Sequence, residues 1–428
     1  MISDIVKAGI EKGFSSVEVS IERVLKNEYQ KEEKDVLQHN SQMQEVYCRS
    51  MHDYGDPVTF ILSGSDKRSV SNAFSQISRS FSSSGKENFR KQIPKKAEKV
   101  KVDIYDASFE NRGKEDFMEL SDKLDETVLN YPGLRINKTI FSSLSRKFHL
   151  MNSRGFNAKF RKTIFSVSLN MSLNGGSLNL NESRVFFRDL EPFKLVSRGY
   201  TLLDSLTDNT PALKRFNDLV LSPESSSVIL KIFSKFFLPS NYLNAGRVNY
   251  PGVLNVFDEP QLNLGTGSVP FDDEGVQNRI TSIIKKGVFQ SSVTDLRSSL
   301  IYDMRPSGNG FRLGGDHPSP GFTNLYIKPS VISVNNILRD ISDTILISLI
   351  KLISSSNGNF LFSAYGYNYR NGERAEPVHF FINTTFQDFF LNIVKISKEI
   401  RFFYSGFNTG SPYLLVKGKK TGDKIIRI

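Results

Sequence analysis

Cysteine is almost absent from this chain. The single Cys48 excludes an internal disulfide and any zinc cluster built on cysteine pairs, and suits a reducing compartment. It sits in an alternating apolar run with Val46, as a small buried hydrophobe would. Tryptophan is missing altogether, so the 34 phenylalanines must carry most of the aromatic packing. Histidine is scarce. His39, His52, His149, His317 and His379 include no pair spaced i, i+4, and no His-Glu-x-x-His occurs, so no helix offers a histidine pair to zinc. Long apolar runs are lacking too. The longest, from Ile341 to Ile353, carries Asp343 and Lys351 and is too short to cross a bilayer. Asp4 and Lys7 interrupt the start before a signal-peptide core can form. No P-loop Gly-Lys-Ser/Thr, no Gly-x-Ser-x-Gly elbow, no nucleic-acid module and no fixed-period repeat is found. These absences make a cytoplasmic protein without a membrane partner the expectation.

What is present starts with length. At 428 residues the chain suggests two domains. The formal charge is +11, concentrated between Lys86 and Lys101 and in the tail from Lys417 to Arg427. Charge alone could serve an anionic partner, but no recognition motif accompanies it, so nucleic acid is not an expected partner.

The apolar spacing predicts a short opening helix around Ile5, Val6 and Ile10. Strands follow at Val17–Glu22, Gln44–Met51 and Val58–Leu62, with a turn at residues 52–57. A helix over 66–81 carries Val70, Phe74, Ile77 and Phe81 on one stripe, with Asp66 as N-cap. Residues 82–101 read as a loose segment, and a helix over 115–130 follows. Runs at 139–144, 147–152, 158–174 and 183–187 read as an antiparallel meander, with a hairpin turn at Gly175-Gly176. Ser222-Pro223 starts a very apolar helix that runs to about Leu238. Later helices are expected over Asn335–Ile353 and Gln387–Ile400. The fold class is α+β. A unit over residues 1–190 sets helices on an antiparallel sheet, and a larger, mainly antiparallel β unit occupies 191–428.

The densest chemistry lies between Leu264 and Pro329. Asp258, Glu259, Asp272, Asp273 and Glu274 could form a hard-cation or acid–base site. The Phe-Asp-Asp-Glu-Gly order also fits a turn in which Asp272 and Asp273 cap the backbone and Gly275 takes a positive φ, which is the favoured reading. Gly265-Thr266-Gly267-Ser268 and Ser307-Gly308-Asn309-Gly310 are small-residue loops without the context of a phosphate cradle.

Together these pieces resemble the TldD/PmbA family, also called modulators of DNA gyrase. Gly265-Thr266-Gly267-Ser268-Val269-Pro270-Phe271-Asp272-Asp273-Glu274-Gly275 is similar to the family's Gly-x-Gly-Ser-x-Pro-Phe-Asp-Asp-Glu-Gly signature. Ile283 to Phe289, Ser307-Gly308-Asn309, Pro318 to Leu325 and Phe360 to Gly372 resemble its later blocks, and Gly13 to Val19 its opening. The resemblance is strongest over residues 260–375 and loosest over 85–195.

In one branch of that family a helix carries a His-Glu-x-x-x-His zinc motif. The matching helix here has Lys231, Ile232 and Phe236 at those three positions. The resemblance therefore implies the PmbA/TldE-like branch, with no metal, cofactor or catalytic residue in this chain. Zinc is expected in a TldD-like partner, and the pair would act on peptides. A homodimeric peptide-binding protein and a gyrase- or nucleic-acid-associated modulator are the alternatives. Gly265, Gly267, Asp272, Asp273, Ser307, Asn309, Thr323 and Asn324 are the expected peptide-channel or subunit-interface loop residues.

Overall fold

Valines and isoleucines alternating with polar residues from Val17 onward build the first layer. The computed structural model describes residues 2–32, 35–52, 56–64, 66–80, 89–98, 100–241 and 248–428. Residues 53–55 of the expected turn, Phe81, and Lys86 and Lys99 of the basic run lie outside them. The first sheet contains β1 (Ser16–Glu32), β2 (Asp35–Met51), β3 (Val58–Ile61), β4 (Arg135–Asn152), β5 (Asn157–Leu173) and β6 (Gly176–Arg184). Its order is β3-β2-β1-β4-β5-β6, with every pair antiparallel. The strands are longer than their apolar runs suggest. The runs at 139–144 and 147–152 are one strand, because Ser145 and Arg146 simply continue the ladder opposite Thr163 and Lys162. The β5–β6 turn lies one residue before the expected pair. Asn174 and Gly175 both have positive φ, 50° and 83°, and Leu173 pairs with Gly176.

Helices cover this sheet with their apolar stripes. Helices α1 (Ile2–Glu11) and α2 (Lys67–Ser80) bury Ile5, Val70 and Phe74 against Val17, Val19 and Cys48. Asp66 accepts from the Ser69 N–H at 3.0 Å and caps α2, as its sequence position predicts. Helices α3 (Lys114–Val128) and α4 (Pro192–Asp204) bury Phe117, Leu124, Leu195 and Leu202 against Val167, Leu169 and Met171. Helix α4 follows residue 190 and still belongs to the cover of the first sheet.

The second layer is an 11-stranded sheet with short elements on its margins. It opens with β7 (Phe216–Leu221) and α5 (Pro223–Phe233), whose N-cap Ser222 accepts from the Ser225 N–H. Short pieces follow: β8 (Val256–Asp258), β9 (Thr281–Lys285), β10 (Val288–Phe289), α6 (Leu296–Ile301), β11 (Gly310–Phe311), β12 (Ser319–Pro320), β13 (Asn324–Ile327) and α7 (Val334–Arg339). Long strands close the unit: β14 (Asp343–Ser356), β15 (Asn359–Arg370), β16 (Glu373–Thr385), then helix α8 (Phe386–Leu391), β17 (Ile393–Ser405), β18 (Phe407–Gly422) and β19 (Ile425–Arg427). Strand β7 pairs with both β14 and β18, so β7, β14, β15, β16, β19 and β18 close into a ring. Its core joins Leu221, Phe362, Phe380 and Leu414 to Leu230 and Phe233 of α5 and to Phe389 and Phe390 of α8.

Two expected helices are strands for most of their length. The segment expected to be helical over 335–353 is helical only over Val334–Arg339 and then becomes β14. The segment over 387–400 is helical only over Phe386–Leu391 and then becomes β17. Ile345, Ile347 and Ile350 are buried in the main core while Leu346, next to them, packs on a second cluster with Ile337 and Leu338. A strand covered on both faces reads as a continuous apolar run, and period alone does not separate it from a buried helix. The β-branched residues Thr344, Ile345 and Ile347, and Ile393, Val394 and Ile396, are the signal that decides for strand.

Candidate functional site

The signature segment lies where the two layers meet, and its acids face inward. Asp272 is both a turn former and a tie. One carboxylate oxygen accepts from the N–H groups of Glu274 and Val276 at 3.0 and 2.9 Å, and the other from the Gly310 N–H at 2.8 Å. Gly275 takes φ +74°, as the turn requires. Asp273 accepts from the Arg146 guanidinium at 2.8 Å and from the Arg312 N–H at 2.9 Å. Glu274 is ion-paired to Arg49, which also holds Glu18 at 3.0 Å. Arg146 bridges further to Glu22 at 2.6 Å. Turn chemistry thus explains Asp272, whereas Asp273 and Glu274 bind arginines of the first sheet. Burial and the nearby Glu274 raise the Asp272 carboxyl well above its usual range, while Arg146 and Arg312 hold Asp273 below it against the cost of burial.

A second buried network centres on Asp258, which the sequence offered as one of five acids of a hard-cation or acid–base site. It accepts from the Thr323 N–H and hydroxyl at 2.9 and 2.8 Å and from the Asn309 amide at 2.7 Å. Burial pushes its carboxyl up to about 6. Ser307 donates to Asn309 Oδ1 at 2.7 Å. Asn324 donates to the Glu259 carbonyl and Ser268 Oγ, and accepts from the Gly267 N–H and the Asn408 amide. Gly267 is required here, because a Cβ at this position would stand 1.9 Å from the Thr323 carbonyl oxygen. The structure therefore brings Gly267, Ser307, Asn309, Thr323 and Asn324 together around Asp258 and Ser268. Asp273 instead faces the first sheet through Arg146, and Asp272 ties its own turn to the Gly310 N–H beside Asn309. Gly265 alone of the eight lines an open cleft.

That cleft has a volume of about 830 Å³ and separates β6 and α4 from the start of α5, residues 262–266 and β17. Its floor holds Arg198, Glu224 and Arg401. The signals for it were weak in the sequence, since these residues are 26 and 177 positions apart or more.

The three motif positions, Lys231 and Ile232 on α5 and Phe236 in the 3-10 turn that follows it (Ser234–Phe237), are packed. Lys231 Nζ donates to the Ser405 carbonyl at 2.6 Å and lies over the Phe407 ring. Ile232 and Phe236 pack on the main core, and the Phe236 ring sits 4.7 Å from Phe386. An ammonium, an alkyl group and a phenyl ring do not fit zinc, which needs unprotonated nitrogen, oxygen or sulfur donors. Among the described residues no three His, Cys, Asp or Glu side chains group as a metal site.

Residues 218–422 match the model of the PmbA/TldA metallopeptidase C-terminal domain. The C-terminal half of the chain is thus a domain of the TldD/PmbA family. The PmbA metalloprotease of Escherichia coli O157:H7 is 27% identical over 195 residues, covering 45% of this chain and 40% of that protein. A metalloprotease of Methanothermobacter thermautotrophicus is 30% identical over 128 residues, covering 29% of this chain and 28% of that protein. This chain thus matches well under half the length of these curated metalloproteases. The fold extends much further. TldE from Thermococcus kodakarensis superposes with TM-score 0.81 at 17% identity, over 97% of this chain and 99% of that one. A Thermotoga maritima protein named as a candidate modulator of a DNA gyrase gives TM-score 0.82 at 19% identity, over 97% of both chains. The α+β architecture is that of these TldD/PmbA-type structures.

Proposed function

We propose that this chain is the metal-free, PmbA/TldE-like subunit of a peptidase complex in which a TldD-like partner supplies zinc and the general base. The carrying observation is the identity and packing of Lys231 and Ile232 on α5 and of Phe236 in the turn just after it. A family member that has filled its metal positions with packing residues keeps the helix for its shape. The buried ties around Asp258 and Glu274 support the same reading, because they fix the signature segment as scaffold with little freedom for acid–base work. No described helix is long and apolar enough to cross a membrane.

The test is co-expression with a TldD-like chain bearing His-Glu-x-x-x-His. The reading expects the two to co-purify and to cleave peptides in a zinc-dependent way that neither shows alone. A stable homodimer that ignores the TldD-like chain would favour a peptide-binding protein instead. Steeply salt-dependent DNA binding would favour a nucleic-acid role.

A further inference from the structure

The floor of the cleft carries an excess of guanidinium over carboxylate. Glu224, in the first turn of α5, offers a single oxygen to two arginines: Oε1 lies 3.4 Å from Arg198 Nε and 3.3 Å from Arg401 Nη1. The approach to Arg198 is not a hydrogen bond, and Arg198 Nε is buried with no hydrogen-bond partner. An unpartnered buried donor on a charged group is costly, and a ligand carboxylate would relieve it. The Arg198 guanidinium lies 5.7 Å above the Phe403 ring, which holds its plane in place. Burial is the largest influence on Arg198 and holds it below the usual arginine range.

The other charges on the walls cancel locally. Arg184 pairs with Glu182 at 2.5 Å, Lys194 pairs with Glu191, and Asp189 lies 3.9 Å from Arg188 Nε, just outside the cleft. Arg198, Arg401 and Glu224 are left with one positive charge in excess.

We infer that Arg198 and Arg401 form a carboxylate-recognition subsite in this cleft, with Glu224 as an internal stand-in that an incoming peptide carboxylate displaces. The ligand's being a peptide rests on the function proposed above; its being a carboxylate rests on the two arginines alone. The carboxylate could be a C-terminus or an acidic side chain.

The experiment is calorimetric titration of the purified full chain with three heptapeptides of one alanine-rich sequence. One has a free C-terminus, one is the C-terminal amide, and one is the amide with a central Glu. The free acid should bind about tenfold more tightly than the plain amide, the effect of one charge-assisted hydrogen bond. If the central Glu restores affinity, the subsite reads side chains; if it does not, it reads the terminus. Arg198→Met should abolish the acid preference, and Glu224→Gln should strengthen it. Lys123→Met, on the exposed face of α3 and outside the cleft, should leave it unchanged. Arg198→Lys, with folding checked by circular dichroism, separates loss of the fork from loss of fold, and should recover part of the preference. Equal affinity for acid and amide, an unaltered preference in Arg198→Met, or no binding of any peptide at millimolar concentration would overturn the inference. A failed co-purification with a TldD-like chain would instead strike the proposed function and leave the acid preference standing.

Discussion

Arg49 and Glu274 stand 225 residues apart in sequence and form a buried ion pair across the junction of the two layers. Arg49 comes from β2, Glu274 from the signature turn, and Glu18 of β1 completes the set. The same design recurs beside it, where Arg146 of β4 holds Glu22 and Asp273. Each arginine thus clamps one acid of the turn to one acid of the first sheet.

Breaking such a set leaves charge stranded in a dry junction. Arg49→Met, which strands two carboxylates, should cost about 3–5 kcal/mol of unfolding free energy. Urea unfolding followed by circular dichroism reads it. A loss below about 1 kcal/mol would mean that the junction is wet or mobile.

Gly267→Ala should be severely destabilising, because the added Cβ meets the backbone carbonyl of Thr323, which no rotamer change can move. Gly252→Ala is the control, since nothing lies within 4 Å of its Cβ position. Thermal unfolding should show a large drop for the first and almost none for the second.

Lys162 makes stability depend on pH. Burial pushes its ammonium down to about 7 from an ordinary 10.5, with Arg146 adding repulsion, and its one hydrogen bond goes to the Ser268 carbonyl at 3.0 Å. Between those two values the unfolded chain binds a proton that the folded chain does not. Stability therefore rises with pH across that window, and the cost of the buried ammonium is fully felt below it. Relative to Lys162→Met, the parent protein should gain up to about 1.4 kcal/mol per pH unit above neutrality. Parallel curves for the two proteins between pH 7 and 9 would contradict this.

The triple change Lys231→His, Ile232→Glu, Phe236→His should restore no peptidase. Phe236 packs at a tilt against Phe386 and Ile232 is packed on the core, so the new side chains would arrive in an apolar setting without the supporting groups that orient metal ligands. The expected result is a destabilised protein without zinc-dependent hydrolysis of a casein-derived peptide. Measurable zinc-dependent turnover would refute it.

Much of the fold was legible because local chemistry agreed with the tertiary outcome. Asp66 and Ser222 cap the helices they precede, and Val17, Val19 and Ile21 alternate into a sheet. Ile341–Ile353 misled because residues 343–350 form a strand covered on both faces, which shows neither period, so its β-branched residues had to speak for it. The signature loops could be found in sequence, but not their partners. Nothing near Glu274 points to Arg49, and nothing near Asp273 points to Arg146, because the pairing is created by the docking of two layers. The cleft floor is hidden for the same reason: Arg198, Glu224 and Arg401 come from α4, α5 and β17.

The most direct test of the central claim is the metal content of the purified chain alone, by inductively coupled plasma mass spectrometry, with peptide hydrolysis measured on the same sample. A chain that leaves zinc chemistry to a partner should hold far less than one zinc per molecule and cleave nothing. One zinc per chain together with zinc-dependent hydrolysis would contradict it.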